Sequence, residues 1–294
     1  MRVYPKFNRQ RFLLDFIVAS GPVIGMVDLQ KMLFLYSQDQ ENFFYDFVPY
    51  LYGCYSLQAN DDMDKLAKLG WVEINANSVC LKATPSVRTQ QKDLIQKFLD
   101  KLGNTRGDEL IRKVYTEYPY YAINSKIAKT ILGKAEYQEI IKRKSDLQRD
   151  DQVLFTIGYE GKSLERYLNQ IILNDIKLVC DVRKNPISRR FGFSKSILSK
   201  SLSKIGVEYQ HIAALGISSA ARKIAKDNND YRSLFKDYRD SLESFDETIG
   251  TVEHQLRTKK RVALTCFESA AKDCHRHVLS DYLKIKKKYE VIDL

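Results

Sequence analysis

The sequence predicts a chain in two parts: a mostly helical, winged-helix-like domain over residues 1–145, then an α/β domain over residues 153–294. The sheet of the second domain is expected to be mainly parallel, with helices on both faces. Two observations carry this reading. Before position 145 the apolar residues recur at helical spacing, interrupted by one short hairpin pattern. After position 153 the rhythm becomes strand, helix, strand, and runs such as Val153-Leu-Phe-Thr-Ile hold no proline and read as buried parallel strands.

In the first part, the spacing from Phe7 to Val18 predicts a helix, Gly21-Pro22 breaks it, and a second helix is expected from Val23 to Gln38. Tyr45 to Cys54 reads as an aromatic-rich loop. A third helix is expected from Ser56 to Leu69, with Met63, Leu66 and Leu69 on one face and Gly70 as its stop. Trp71-Val-Glu-Ile and Val79-Cys-Leu-Lys flank Asn75-Ala-Asn-Ser as a β-hairpin. Helices followed by such a wing resemble the winged helix. The runs L-Q-K-M-L-F-L-Y and D-F-V-P-Y-L-Y-G are similar to the amino-terminal modules of some bacterial defence and antitoxin-type proteins. The third helix carries Asp61, Asp62 and Asp64, which oppose phosphate. The module is therefore expected either to contact nucleic acid or to pair proteins, as in a homodimer. Further helices are expected at 86–102, 108–118 and 134–144, and the polar stretch 142–151 reads as a linker.

In the second part, Gly158-Tyr-Glu-Gly161 is a tight loop and Ser163 an N-cap for a helix bearing Leu164, Tyr167, Leu168 and Ile171. A strand at 176–182, a helix at 195–204, a strand at 207–212 and helices near 230–242 and 244–258 follow. Arg261-Val-Ala-Leu-Thr-Cys is a strand ending at Cys266, and a helical run from His277 to Lys288 precedes Tyr289-Glu-Val-Ile-Asp-Leu.

Composition sets the class. With 44% apolar and 29% charged residues the chain has a globular profile, and a formal net charge of +11 suits a polyanionic partner or an anionic substrate. Nucleic acid is the partner expected, DNA more than RNA. Five cysteines, at 54, 80, 180, 266 and 274, have no regular spacing and read as reduced thiols of a cytoplasmic protein. Asp15 interrupts the first apolar run, and no stretch approaches the roughly 18 uncharged apolar residues of a membrane helix, so neither export nor membrane anchoring is expected.

Ligands of open parallel sheets bind beyond the carboxyl ends of the strands. That rule gathers Gly158-Tyr159, Asp181 with Arg183, Arg189 and Arg190, and the segment Cys266 to Arg276 on one rim. The sequences T-I-G-Y-E-G-K-S-L-E, V-C-D-V-R-K-N-P-I-S-R-R, H-I-A-A-L-G and C-F-E-S-A-A-K-D-C-H-R resemble the successive motifs of the domain of unknown function 488 (DUF 488) family. The resemblance covers roughly residues 153 to 294. It implies a site made of Tyr159, Asp181, Arg183, Cys266, Glu268, Cys274, His275 and Arg276. Many members carry an aspartate and a proline after the glutamate of the last motif, where this chain has Ser269-Ala-Ala.

Arg183, Arg189, Arg190 and Arg276 have the guanidinium forks to hold a phosphate, and Glu268 and Asp181 the carboxylates for general acid/base work. The alternative for Asp181 and Arg183 is a pair that only fixes its loop. The thiols have three readings. Cys180 and Cys266, in or at the ends of strands, are small buried apolar residues. Cys274, at a helix N-terminus beside His275 and Arg276, is a nucleophile. Cys266, Cys274 and His275 hold zinc, although C-x7-C-H is an uncommon ligand spacing and no second CxxC accompanies it. Rhodanese-like sulfur transfer is a minor reading, since Arg276 lies ten residues after Cys266 and the compact C-x4-R loop is absent. No cofactor is expected. The function expected is an enzyme that hydrolyses a base or phosphate centre of nucleic acid or a nucleotide. The alternative is a non-catalytic nucleic-acid-binding or protein-interaction regulator with a ligand-sensing pocket. Nucleic acid is expected across the second domain, on Lys184, Arg189, Arg190, Lys195 and Arg222.

Overall fold

Helical spacing near the amino terminus produces α1 (Asn8–Ser20), which buries Phe12, Leu13, Phe16 and Ile17 completely. The computed structural model describes residues 2–40, 43–86 and 89–294. They form two compact units, Met1–Asp146 and Leu147–Leu294. Among the described residues no helix is long and apolar enough to cross a membrane.

In the first unit α2 (Met26–Gln38) starts three residues later than expected, because Val23–Gly25 is a strand, β1. A distant partner decides this: Val23 to Gly25 lie antiparallel to Cys80 to Ser78, and local propensity yields to that ladder. The segment expected as a loop contains a hairpin, β2 (Val48–Tyr50) with β3 (Gly53–Tyr55). Then come α3 (Leu57–Lys68), capped by Ser56, and the hairpin β4 (Val72–Ile74) and β5 (Ser78–Leu81); the sheet order is β1-β5-β4. The helix expected over 86–102 is shorter, α4 (Lys92–Leu102); residues 87 and 88 of that expectation lie outside the described residues. α5 (Gly107–Glu117), α6 (Ala128–Ile131) and α7 (Lys134–Ser145) complete the unit. The linker expected from 142 is in its first four residues the last turn of α7, where Lys142, Arg143 and Lys144 complement the helix dipole.

The acidic helix changes its meaning. Asp62 is wholly buried, 2.6 Å from Arg9 Nε, and accepts hydrogen bonds from Gln10 and Tyr45. Asp61 pairs with Lys65. Of the three aspartates thought to face phosphate, only Asp64 is exposed.

The second unit alternates β6 (Val153–Gly158), α8 (Leu164–Leu173), β7 (Leu178–Asp181), α9 (Lys195–Lys204) and β8 (Glu208–His211). It continues with α10 (Ser219–Asp227), α11 (Tyr231–Ser241), α12 (Asp246–Lys259), β9 (Arg261–Cys266), α13 (His275–Lys287) and β10 (Glu290–Asp293). The sheet order is β10-β6-β9-β7-β8, and every pair is parallel. Leu154, Leu178, Cys180, Val262 and Leu264 share a core with Val252 and Leu256 of α12 and Val278 and Leu279 of α13. The alternate residues Phe155, Val179 and Ala263 are equally buried and point to the opposite face, as strand geometry requires. Both faces are thus covered, which is why these strands lack polar alternation. α10 is the one helix of this unit that the sequence reading passed over, although Ser218 caps it by accepting from Ala221 N.

Candidate functional site

β9 is the middle strand, and its last residue, Cys266, lies level with Gly158 of β6, while Thr265 lies level with Asp181 of β7. From β7 the chain runs through α9 to β8 on one side, whereas from β9 it runs through α13 to β10 on the other. Divergence of this kind opens a crevice at the carboxyl ends of the two strands. The loop after Cys266 fills that position.

Five hydrogen bonds hold the loop. Phe267 O accepts from Tyr159 N at 3.1 Å and Glu160 N at 2.8 Å, and Ser269 N donates to Glu160 Oε2 at 3.1 Å. Arg276, fully buried, reaches back from α13 to donate to Glu268 O at 2.5 Å and Ser269 O at 2.8 Å. At Gly158 a Cβ would come within 1.7 Å of Glu268 O, so this approach of strand to loop requires glycine. The motif residues Gly158, Glu160 and Arg276 thus shape one backbone segment.

That segment and the first turn of α13 bring two thiols and an imidazole together. His275 Nδ1 lies 3.6 Å from Cys274 Sγ and 3.9 Å from Cys266 Sγ. Its other nitrogen, Nε2, is 3.0 Å from Val182 O. A carbonyl only accepts, so Nε2 carries the proton, and in the neutral ring Nδ1 presents a lone pair to both sulfurs. Arg222 of α10 approaches from outside, with Nη2 at 3.2 Å from Nδ1 and 3.8 Å from Cys266 Sγ, and Nη1 at 3.4 Å from Glu268 Oε1. Hydrogen bonding from Cys274, with His275 and Arg222 beside it, holds the Cys266 thiol well below its ordinary pKa despite burial. Burial and the neighbouring Cys266 push Cys274 up. Glu268 is raised above the usual carboxylate range, first by burial and then by Cys266. Its Oε2 is buried without a hydrogen-bond partner among the described residues.

A second network adjoins the first at β7. Asp181, wholly buried, accepts from Arg183 Nε at 2.8 Å, from Arg183 Nη2 at 2.5 Å and from Tyr209 OH at 2.6 Å. Arg183 Nη1 donates to Tyr159 OH and Phe193 O, both at 2.8 Å. The Tyr159 ring stacks on Phe193 with centroids 4.3 Å apart.

The structure therefore divides the residues expected on the rim. Cys266, Glu268, Cys274 and His275 come together. Tyr159, Asp181 and Arg183 form their own closed set. Arg183 and Arg276, both expected to hold a phosphate, are turned inward with their guanidinium groups engaged by protein oxygens. Arg189 and Arg190 are exposed, and Arg190 Nε donates to Lys162 O at 2.7 Å. Arg222, named from the sequence only as one cation among several, contacts the thiol cluster itself; its signal was Ser218-Ser219 ahead of a helix-forming run. Among the described residues Cys266, Cys274 and His275 also make the one group with metal-ligand spacing, their ligand atoms all within 4.8 Å of one another.

Residues 163–283 match the family model described as Domain of unknown function DUF488. The span includes Asp181, Arg183, Arg222 and the whole segment from Cys266 to Arg276, so the resemblance read in the motifs holds over it. No curated protein and no solved structure matches the chain.

Proposed function

We propose that the second unit is an enzyme that hydrolyses a bond at a base or phosphate centre of a nucleic acid or nucleotide. Glu268 is its acid/base group. One observation carries the reading: around a cluster of otherwise buried groups, only Glu268 and Arg222 reach solvent, with side chains 25% and 32% exposed. A carboxylate and a guanidinium at the mouth of a buried Cys-Cys-His cluster have the chemistry to move a proton and to hold an anion. The basic chain, with exposed Arg189, Arg190, Lys184 and Lys195 after β7 and before or in α9, supports a polyanionic substrate. Free cysteines suit a reducing cytoplasm.

The test is Glu268→Gln in the full chain, with oligonucleotides and nucleotides screened for altered mass. Turnover should fall by about 10²–10⁴-fold while binding persists. Undiminished turnover would remove Glu268 from the role.

A second reading, a non-catalytic regulator, has its own support in the first unit. Helix, strand, helix, then helix and two strands, with β1 completing the sheet of the β4–β5 hairpin, support a winged-helix assignment and DNA as partner. A cavity of about 280 Å³ there is lined by Lys31, Tyr50, Tyr52, Cys54 and Tyr55, and the rings of Tyr50 and Tyr55 stack 5.0 Å apart. Such a unit binds a ligand or pairs two copies. Salt-dependent binding without any product would favour this reading over hydrolysis.

A further inference from the structure

The thiol cluster has dimensions that hydrogen bonding alone does not demand. Zinc bonds of about 2.3 Å to sulfur and about 2.0–2.1 Å to nitrogen, at tetrahedral angles, set S···N edges of roughly 3.5–3.6 Å and an S···S edge of roughly 3.8 Å. The two S···N edges here are 3.6 and 3.9 Å, and all three ligand atoms lie within 4.8 Å of one another. All three residues are buried, at 0, 1 and 2% exposure. Both S···N edges are thus within a few tenths of an ångström of the tetrahedral length, with the two sulfurs on the same side of the ring.

Orientation is fixed as well as distance. The hydrogen bond from His275 Nε2 to Val182 O turns the ring and its tautomer so that the Nδ1 lone pair faces the sulfurs, the arrangement that supports a metal-bound histidine from behind. Three elements lock the set: Cys266 ends the central strand, Cys274 and His275 open α13, and Arg276 ties the loop between them to that helix. The intervening turn at Ala271–Asp273 folds the seven residues between the cysteines back on themselves.

We propose that Cys266, Cys274 and His275 bind one zinc ion through both Sγ atoms and Nδ1, leaving a fourth position that faces Glu268. Two thiolates balance the charge of the ion, and thiolate with imidazole selects zinc over the hard cations. Arg222 Nη2 now donates to the same two lone pairs, Nδ1 and Cys266 Sγ, so the guanidinium swings off them on metal binding and keeps Glu268 as its partner. The side chain is one-third exposed and sits on a surface helix, which permits the movement. Water in the fourth position would lose a proton near neutral pH, at about 7 in comparable three-ligand sites. Glu268, the carboxylate facing that position, would take the proton, and the ion would supply hydroxide as the nucleophile. This role of the fourth position rests on the hydrolytic reading; the existence of the site does not.

The experiment is metal analysis of the full chain, purified under reductant and dialysed against trace zinc, with cobalt(II) substitution in parallel. Expected are about one zinc per chain, and on cobalt the thiolate-to-metal charge-transfer band with the intense visible bands of a tetrahedral site. Cys274→Ser, which leaves one thiolate, should lose at least about half of the cobalt charge-transfer intensity, whereas Glu268→Gln should keep both zinc and spectrum. The wild-type spectrum needs no variant to fold. A chain that retains no zinc and gives no charge-transfer band overturns the proposal while leaving hydrolysis open with Glu268 as the acid/base group. A chain that binds zinc as expected but turns over no nucleic acid or nucleotide keeps the site and loses the proposed function.

Discussion

Two buried polar clusters sit side by side at the carboxyl ends of β7 and β9, and they differ in how fully their atoms are partnered. Around Asp181, each carboxylate oxygen accepts at least two hydrogen bonds, and Arg183 has bonds from Nε, Nη1 and Nη2. Around Cys266, the Nδ1 of His275 faces two thiols and a guanidinium at 3.2 to 3.9 Å, and Glu268 Oε2 has no partner among the described residues. A saturated network serves to hold shape, whereas one left short of partners has polar atoms free to meet a ligand, and the proposed function places its chemistry there. On that proposal the same motif density in sequence yields a scaffold in one place and the candidate site in the other.

The strongest way to break this comparison is Asp181→Asn. It leaves the Arg183 guanidinium buried at 4% exposure with its counter-charge gone, and removing one partner of a buried pair costs about 3–5 kcal/mol. Urea unfolding should show that loss. Glu268→Gln, on a partly exposed side chain with one long contact at 3.4 Å, should cost less than about 1 kcal/mol. Equal losses would erase the distinction between scaffold and site.

Gly158→Ala tests the link between the two. Its Cβ would strike the Glu268 carbonyl, which is backbone and tied down by Arg276, so strand and loop must separate. Overpacking of this kind costs roughly 1–3 kcal/mol. Because the displaced segment carries Glu268, turnover should fall further than the stability loss alone would explain. A variant with normal turnover would mean that the loop's position does not matter to the reaction.

Much of the second unit was legible because buried parallel strands are continuous apolar runs, and β6, α9 and the end of β9 appear where the pattern puts them. Features set by distant partners were not. Val23–Gly25 becomes a strand through Ser78–Cys80, and the proline and glycine between positions 48 and 55 disguise a hairpin. In the site, the residue types were visible but their burial was not. Arg276 reads as a phosphate ligand until its guanidinium is seen beneath the loop, and Asp62 reads as a repulsive surface charge until Arg9 is seen against it. Sequence gives the inventory of charges; only packing says which are already satisfied.

The smallest expected effect sharpens the comparison from the surface. If Arg183 and Arg276 are committed inward, a nucleic-acid backbone near this rim must be held by exposed cations, among which Lys184, Arg189 and Arg190 follow the Asp181 network in the loop after β7. Each phosphate neutralised contributes about −0.9 to the slope of log affinity against log salt. Arg189→Ala with Arg190→Ala should therefore make the slope shallower by up to roughly 1.8 in anisotropy titrations across a salt series. Lys65→Ala with Lys68→Ala should change it little, since Lys65 is already paired with Asp61 on α3. The reverse pattern would move the nucleic-acid contact to the first unit, and the cations beside the Asp181 network would then be ordinary solvated charge.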